Sequence, residues 1–106
     1  MKILGIESSC DDTCAAIVED GRILIANEIA SSAEEQNLYG GVVPEIASRR
    51  HIENISLVTK TALDKAQLTM SDIDAVAVTF APGLIGAVLV GVSFAKSLAF
   101  AQDKPL

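Results

Sequence analysis

The chain has 106 residues, 50% of them apolar, which is enough for one small domain with a genuine core and leaves little room for two. With 14 acidic against 8 basic residues the formal net charge is -6; this excludes a general electrostatic grip on nucleic acid, which needs clustered Lys and Arg, but leaves local contact with RNA open. Cys10 and Cys14 form no Cys-x-x-Cys pair and no signal peptide stands ahead of them, so a reducing cytoplasm is the expected compartment and small buried thiols the expected role.

A first strand is expected over Lys2 to Glu7, a second over Thr13 to Glu19 and a third over Arg22 to Ala30, the last two joined by Asp20-Gly21, a strong hairpin signal. Residues Ser31 to Gly41 are polar, then glycine-bearing, and read as an irregular loop. A helix is expected from Pro44 to Gln67: proline suits a first turn, Glu45 complements the dipole, and Ile52, Ile55, Val58, Ala62, Leu63 and Ala66 fall on one stripe. Thr69 to Asp72 read as a turn, residues 73 to 80 as a buried strand, and residues 83 to 101 as a last helix. Ala75 to Ala95 carries no charge, yet Pro82-Gly83 in its middle and the β-branched alternation before it argue against a membrane span. Lys104-Pro105-Leu106 reads as the approach to a further strand, so the chain is expected to be truncated there. The order β-β-β-α-β-α implies an α/β fold, a mixed sheet covered by helices, with no internal domain boundary.

Between the first two strands lies an elbow that is both hydroxyl-rich and acidic. Ser8, Ser9 and Thr13 offer donors to a phosphate or a polarised carbonyl, or else satisfy local backbone. Asp11 and Asp12 suit acid-base work or the positioning of a metal-bound group, or else a solvated turn. Glu7, costly to bury alone, is expected to face a cleft. Gly40 and Gly41 allow positive φ or close approach to a ligand, and Glu45 is either catalytic or merely a helix-start charge. Arg49, Arg50 and His51 are the basic cluster, read as a solvated helical face or a contact to phosphates. Gly83, Ala87, Gly91 and Ala95 recur at every fourth position, which suits either packing within the chain or a partner surface.

Gly5 to Thr13, Tyr39 to His51, and Ala81 to Gly91 with its continuation Ala95 to Ala101 together closely resemble the start of the TsaD family, over essentially the whole chain. The resemblance implies the actin-like ATPase fold (sugar kinase, heat-shock and ribonuclease H-like), here a single amino-terminal lobe, residues 1–106, of a two-lobe enzyme. It implies transfer of a threonylcarbamoyl group from its adenylate to the adenosine flanking the anticodon, with Asp11, Asp12 and Glu45 as catalytic and Ser8, Ser9, Thr13, Gly40 and Gly41 as substrate-binding candidates. It further implies bound iron or zinc in the full-length parent, TsaB-like and TsaE-like subunits, and tRNA as partner, with Arg49, Arg50 and His51 placed to touch its phosphates. Because the family pairs its amino-terminal lobes through helices, the Gly83 to Ala95 ladder is expected to be a partner surface, with a homodimer through helices 44–67 and 83–101 as its consequence. The family's metal histidines follow the Lys-Pro that matches Lys104-Pro105, so this fragment is expected to be inactive and to hold no metal, since His51 alone cannot make a site. Asp12 stands where glutamate is usual and Gln36 where many members carry histidine. Competing readings are a noncatalytic TsaB-like scaffold and an ATPase or phosphotransferase of the same fold; the family's older label, a metalloendopeptidase, has no His-Glu-x-x-His or nucleophile-histidine support here.

Overall fold

A computed structural model describes residues 1–106. Apolar alternation in β1 (Lys2–Glu7), β2 (Asp12–Glu19) and β4 (Ala75–Val78) places Leu4, Ile6, Ala15, Ile17 and Val76 on one face of a sheet. β3 (Ile23–Ser31) completes the sheet in the order β3-β2-β1-β4. β1 runs antiparallel to β2 and parallel to β4. The Asp20-Gly21 hairpin forms as expected, with positive φ at both residues (53° and 69°) and Arg22 N–H donating to Glu19 O. The amide of Val76 donates to Pro105 O at 2.9 Å, so the chain's last residues return along the outer edge of β4.

Two long helices, α2 (Pro44–Ala66) and α3 (Ile85–Ala101), bury their inward faces against that apolar side and share one core. Fully buried Leu4, Ile17 and Ile73 each contribute about 1.5–3 kcal/mol through burial. Pro44 opens α2 and Gln67, in the left-handed conformation, closes it, with Leu68 N–H reaching back to Leu63 O.

Four sequence expectations need correction. The 31–41 segment is not wholly irregular, because Ala33–Asn37 forms a short helix, α1, whose Gln36 is buried. Residues 69–72 close as the expected turn, a 3-10 one with a Thr69–Asp72 capping box, but β4 is shorter than the expected 73–80. Ile52 is 65% exposed, and the α2 stripe runs instead through Ala47, His51, Ile55, Val58 and Ala62. The small-residue ladder is not a partner surface: Ala87, Gly91 and Ala95 are buried inside the chain. The outward side of α3 instead carries Ile85, Leu89 and Phe100, all exposed. No helix is long and apolar enough to cross a membrane.

Candidate functional site

Pairing of β1 with β2 stops at Glu7 and Cys14, so residues 8–11 must leave the sheet and turn. Their carbonyls are drawn inward by three different segments. Ser9 O accepts from the amide of Leu84 (2.9 Å), Cys10 O from the His51 ring Nε2 (2.8 Å), and Asp11 O from both the amide (3.1 Å) and hydroxyl (2.8 Å) of Ser32. The Ser9 amide donates to Glu7 Oε1 at 2.7 Å. With these three carbonyls turned inward, the N–H groups of Cys10 and Asp11 find no acceptor within the chain.

Ser8 and Thr13, read from sequence as substrate-binding hydroxyls, face the interior, each 1% exposed. Ser8 Oγ donates to Ala87 O at 2.7 Å and accepts from Gly91 N–H at 3.0 Å. Thr13 Oγ1 meets His51 Nδ1 at 2.7 Å. The Cys10 carbonyl can only accept, so Nε2 carries the ring proton and Nδ1 accepts from the Thr13 hydroxyl. Neither hydroxyl is left to meet a ligand. His51 is likewise no member of a solvated basic cluster; it is fully buried and ties α2 to the elbow. Its spacing gave a signal that was passed over, since it lies four residues from both Ala47 and Ile55 on the buried stripe.

The polar groups that do face outward are acidic. Glu7, Asp11 and Asp12 are half-buried, and no Lys or Arg pairs with any of them. Their field is felt at Cys14, whose thiol is pushed up to about 11 by burial first and then by Asp12, Glu7 and Asp11. Glu7 and Cys14 lie at one end of a shallow cleft of about 560 Å³ on the uncovered face of the sheet, continued by Gly5, Ala16, Asn27 and Ala77. The arrangement can accept protons and repel bare anions. It does not fit a metal: no three His, Cys, Asp or Glu side chains converge, and both ring nitrogens of the sole histidine are engaged.

Gly40 and Gly41 both take positive φ (82° and 150°) in an exposed turn. Gln36 braces that turn, its Oε1 accepting from Val43 N–H at 2.8 Å and its carbonyl from Tyr39 N–H at 2.9 Å. Glu45 is exposed and bonds Arg49 one turn on at 2.6 Å. Arg50 is gripped by Glu35 and Glu53, which raise its pKa, and its guanidinium in turn holds Glu35 below the usual carboxylate range. The basic cluster is thus already neutralised by neighbouring carboxylates.

Residues 23–106 match the family described as TsaD: tRNA N6-adenosine threonylcarbamoyltransferase. Relatives named tRNA N6-adenosine threonylcarbamoyltransferase from Fusobacterium nucleatum subsp. nucleatum and Clostridium novyi are each 58% identical over all 106 residues, and one from Clostridium kluyveri is 56% identical. The chain spans 31% of the length of each. Among solved structures, YeaZ from Pseudomonas aeruginosa matches 99% of this chain and 42% of its own, with a TM-score of 0.73 and 24% identity. A second, described as an uncharacterized protein with similarity to peptidase YEAZ from the same organism, covers 99% and 41% with the same score and identity. At that identity the likeness shows the fold alone, an actin-like α/β lobe.

Proposed function

The chain belongs to the TsaD family, and on that footing we propose that it is the amino-terminal part of a tRNA threonylcarbamoyltransferase. The observation that carries this is the 58% identity to transferases over the whole chain, elbow included. The solved structures named YeaZ share the fold at 24% identity, against 56–58% for the transferases, which favours the transferase over the scaffold reading.

In the proposed reaction the amino nitrogen of the adenosine attacks the carbamoyl carbonyl of the adenylate. The bond from that carbonyl carbon to the phosphate oxygen breaks, the oxygen keeps the electron pair, and AMP leaves. The amino group gives up one proton, which we assign to Asp11 or Asp12, whose carboxylates have no cationic partner and stand at the open end of the elbow. Ser9 and the free amides of Cys10 and Asp11 are assigned to the adenylate, and the Gly40-Gly41 turn to close approach of substrate backbone or base. Glu45 is left out, because its carboxylate is engaged with Arg49 at the surface. Iron or zinc in the parent belongs to residues outside this chain, as do the remaining walls of the site, so the 106-residue chain alone transfers nothing. A cytoplasmic place, TsaB-like and TsaE-like subunits and tRNA complete the proposal, with the exposed side of α3 as the subunit contact.

The test replaces the first 106 residues of the Clostridium novyi relative with this chain and measures labelled threonine entering unmodified tRNA, with both companion subunits present. The chimera is expected to be active. Asp11→Asn or Asp12→Asn is expected to lower the rate by about 100-fold or more, the scale of a lost general base. An inactive but folded chimera refutes the family function; both variants at the parental rate refute the carboxylate assignment.

A further inference from the structure

We propose that Ser8 is a positioning residue, one that fixes the direction in which Asp11 and Asp12 point by inserting its hydroxyl into the ladder of α3. Ala87 O and Gly91 N–H are the pair that an α-helix joins to each other. Ser8 Oγ lies between them, donating to the carbonyl at 2.7 Å and accepting from the amide at 3.0 Å. A hydroxyl can do both at once. Gly91 is the residue that makes room, since a Cβ there would stand 2.5 Å from Ser8 Oγ. Gly83 makes the adjoining contact: a Cβ there would lie 2.8 Å from both Ser9 Cβ and Ser9 O, beside the Leu84 amide that bonds that same carbonyl.

The consequence follows from how little else holds residues 8–11. They belong to no strand or helix, and the sheet pairing ends before them. Their path is set by side-chain and cap bonds, of which the Ser8 pair is the deepest and comes first in the chain. Removing it leaves the start of the elbow held only by the bonds of Ser9 to Leu84 and Glu7 while His51 and Ser32 still hold its end, so the loop swings about Cys10 and the two carboxylates turn with it. Ser8 is buried and touches no substrate; it acts through the residues that follow it. The proposal rests on the catalytic reading of Asp11 and Asp12 above.

The test uses Ser8→Ala and Ser8→Cys, the second keeping the volume while offering only a weak donor and acceptor. In the 106-residue chain, residual dipolar couplings read the directions of the Ser9 to Asp12 N–H vectors relative to β1 and β2, and hydrogen exchange reads the Gly91 amide. Both variants are expected to turn the elbow vectors, leave the strand couplings unchanged and speed Gly91 exchange at least tenfold. Should Ser8→Ala not fold, Ser8→Cys carries the same expectation. Parental elbow couplings in Ser8→Cys overturn the proposal, since the side chain then only fills space. In the active chimera Ser8→Cys is expected to lower kcat at least tenfold with KM for tRNA within threefold, and an unchanged kcat likewise overturns it. The couplings need no substrate, so a chimera that transfers nothing defeats the proposed function and leaves the geometry of the clamp decided separately.

Discussion

Replacing Gly91 by alanine pits helix propensity against the Ser8 clamp. In an ordinary helix the change stabilises by about 1 kcal/mol. Here the new Cβ meets Ser8 Oγ at 2.5 Å, Ser8 Cβ at 3.4 Å and Val78 Cγ2 at 3.7 Å, so only the hydroxyl must give way. The hydroxyl can rotate, but it then forfeits both of its bonds, each with a net contribution of about 0.5–1.5 kcal/mol, and leaves buried groups unsatisfied at about 1–3 kcal/mol. Gly91→Ala is therefore expected to destabilise by about 1–3 kcal/mol despite better propensity, and Ser8→Ala by a similar amount. In the double variant the offending oxygen is gone and the propensity gain is recovered, so it should be no less stable than Ser8→Ala alone. The two single effects would then overshoot the double by about 2–4 kcal/mol. Urea unfolding followed by circular dichroism measures all four proteins. Additivity within about 0.5 kcal/mol, or a Gly91→Ala protein more stable than its parent, would refute the reasoning.

Gly83→Ala should destabilise by about 1–3 kcal/mol because its Cβ meets Ser9 backbone, whereas Gly86→Ala meets only the movable Ser48 hydroxyl and should be neutral or stabilising; the order of their urea midpoints checks this. His51→Phe strands the Thr13 hydroxyl and the Cys10 carbonyl without their partner and should cost about 2–4 kcal/mol, with the Cys10 and Asp11 amide resonances moving most in an NMR comparison. The Cys14 thiol, raised to about 11 from 9.0, should hold about 100-fold less thiolate near pH 8 than an ordinary thiol. Measured on a Cys10→Ser background, its alkylation should lag free N-acetylcysteine by that order, and a rate within threefold would contradict the burial and carboxylate field. The sign for stability is the same: the folded pKa lies above the unfolded one, so the contribution is intact below about 9 and is lost as pH rises towards 11. Thermal unfolding should therefore shift downwards across that window in the Cys10→Ser protein and less so when Cys14 is also replaced by serine.

The strands and long helices were legible because their signals are local. The alternation in β1 and β2, the Asp20-Gly21 turn and the proline at the start of α2 each involve neighbours a few residues apart, and the structure departs from them by one or two residues at most ends. α1 escaped because a five-residue helix carries less than two turns of pattern, and what stabilises it is Gln36 buried against Ser32 and Val43. The elbow is legible as a polar turn, but two of its three hydroxyls, Ser8 and Thr13, face the interior rather than a ligand. Ser8, Ser9 and Thr13 look alike in sequence, and nothing local says that Ser8 faces a helix begun far along the chain while Ser9 does not.

The order of residues alone decided the α/β class, the hairpin, the extent of α2 and the acidic, hydroxyl-rich turn after β1, since those depend on backbone preference and short-range pattern. Tertiary packing alone decided which hydroxyls are buried, that His51 joins α2 to the elbow, and that Ala87, Gly91 and Ala95 pack inside the chain. The reason is separation: Ser8 meets Gly91 across 83 residues of sequence, and such a contact exists only once the sheet has brought β1 beside β4 and laid α3 over both.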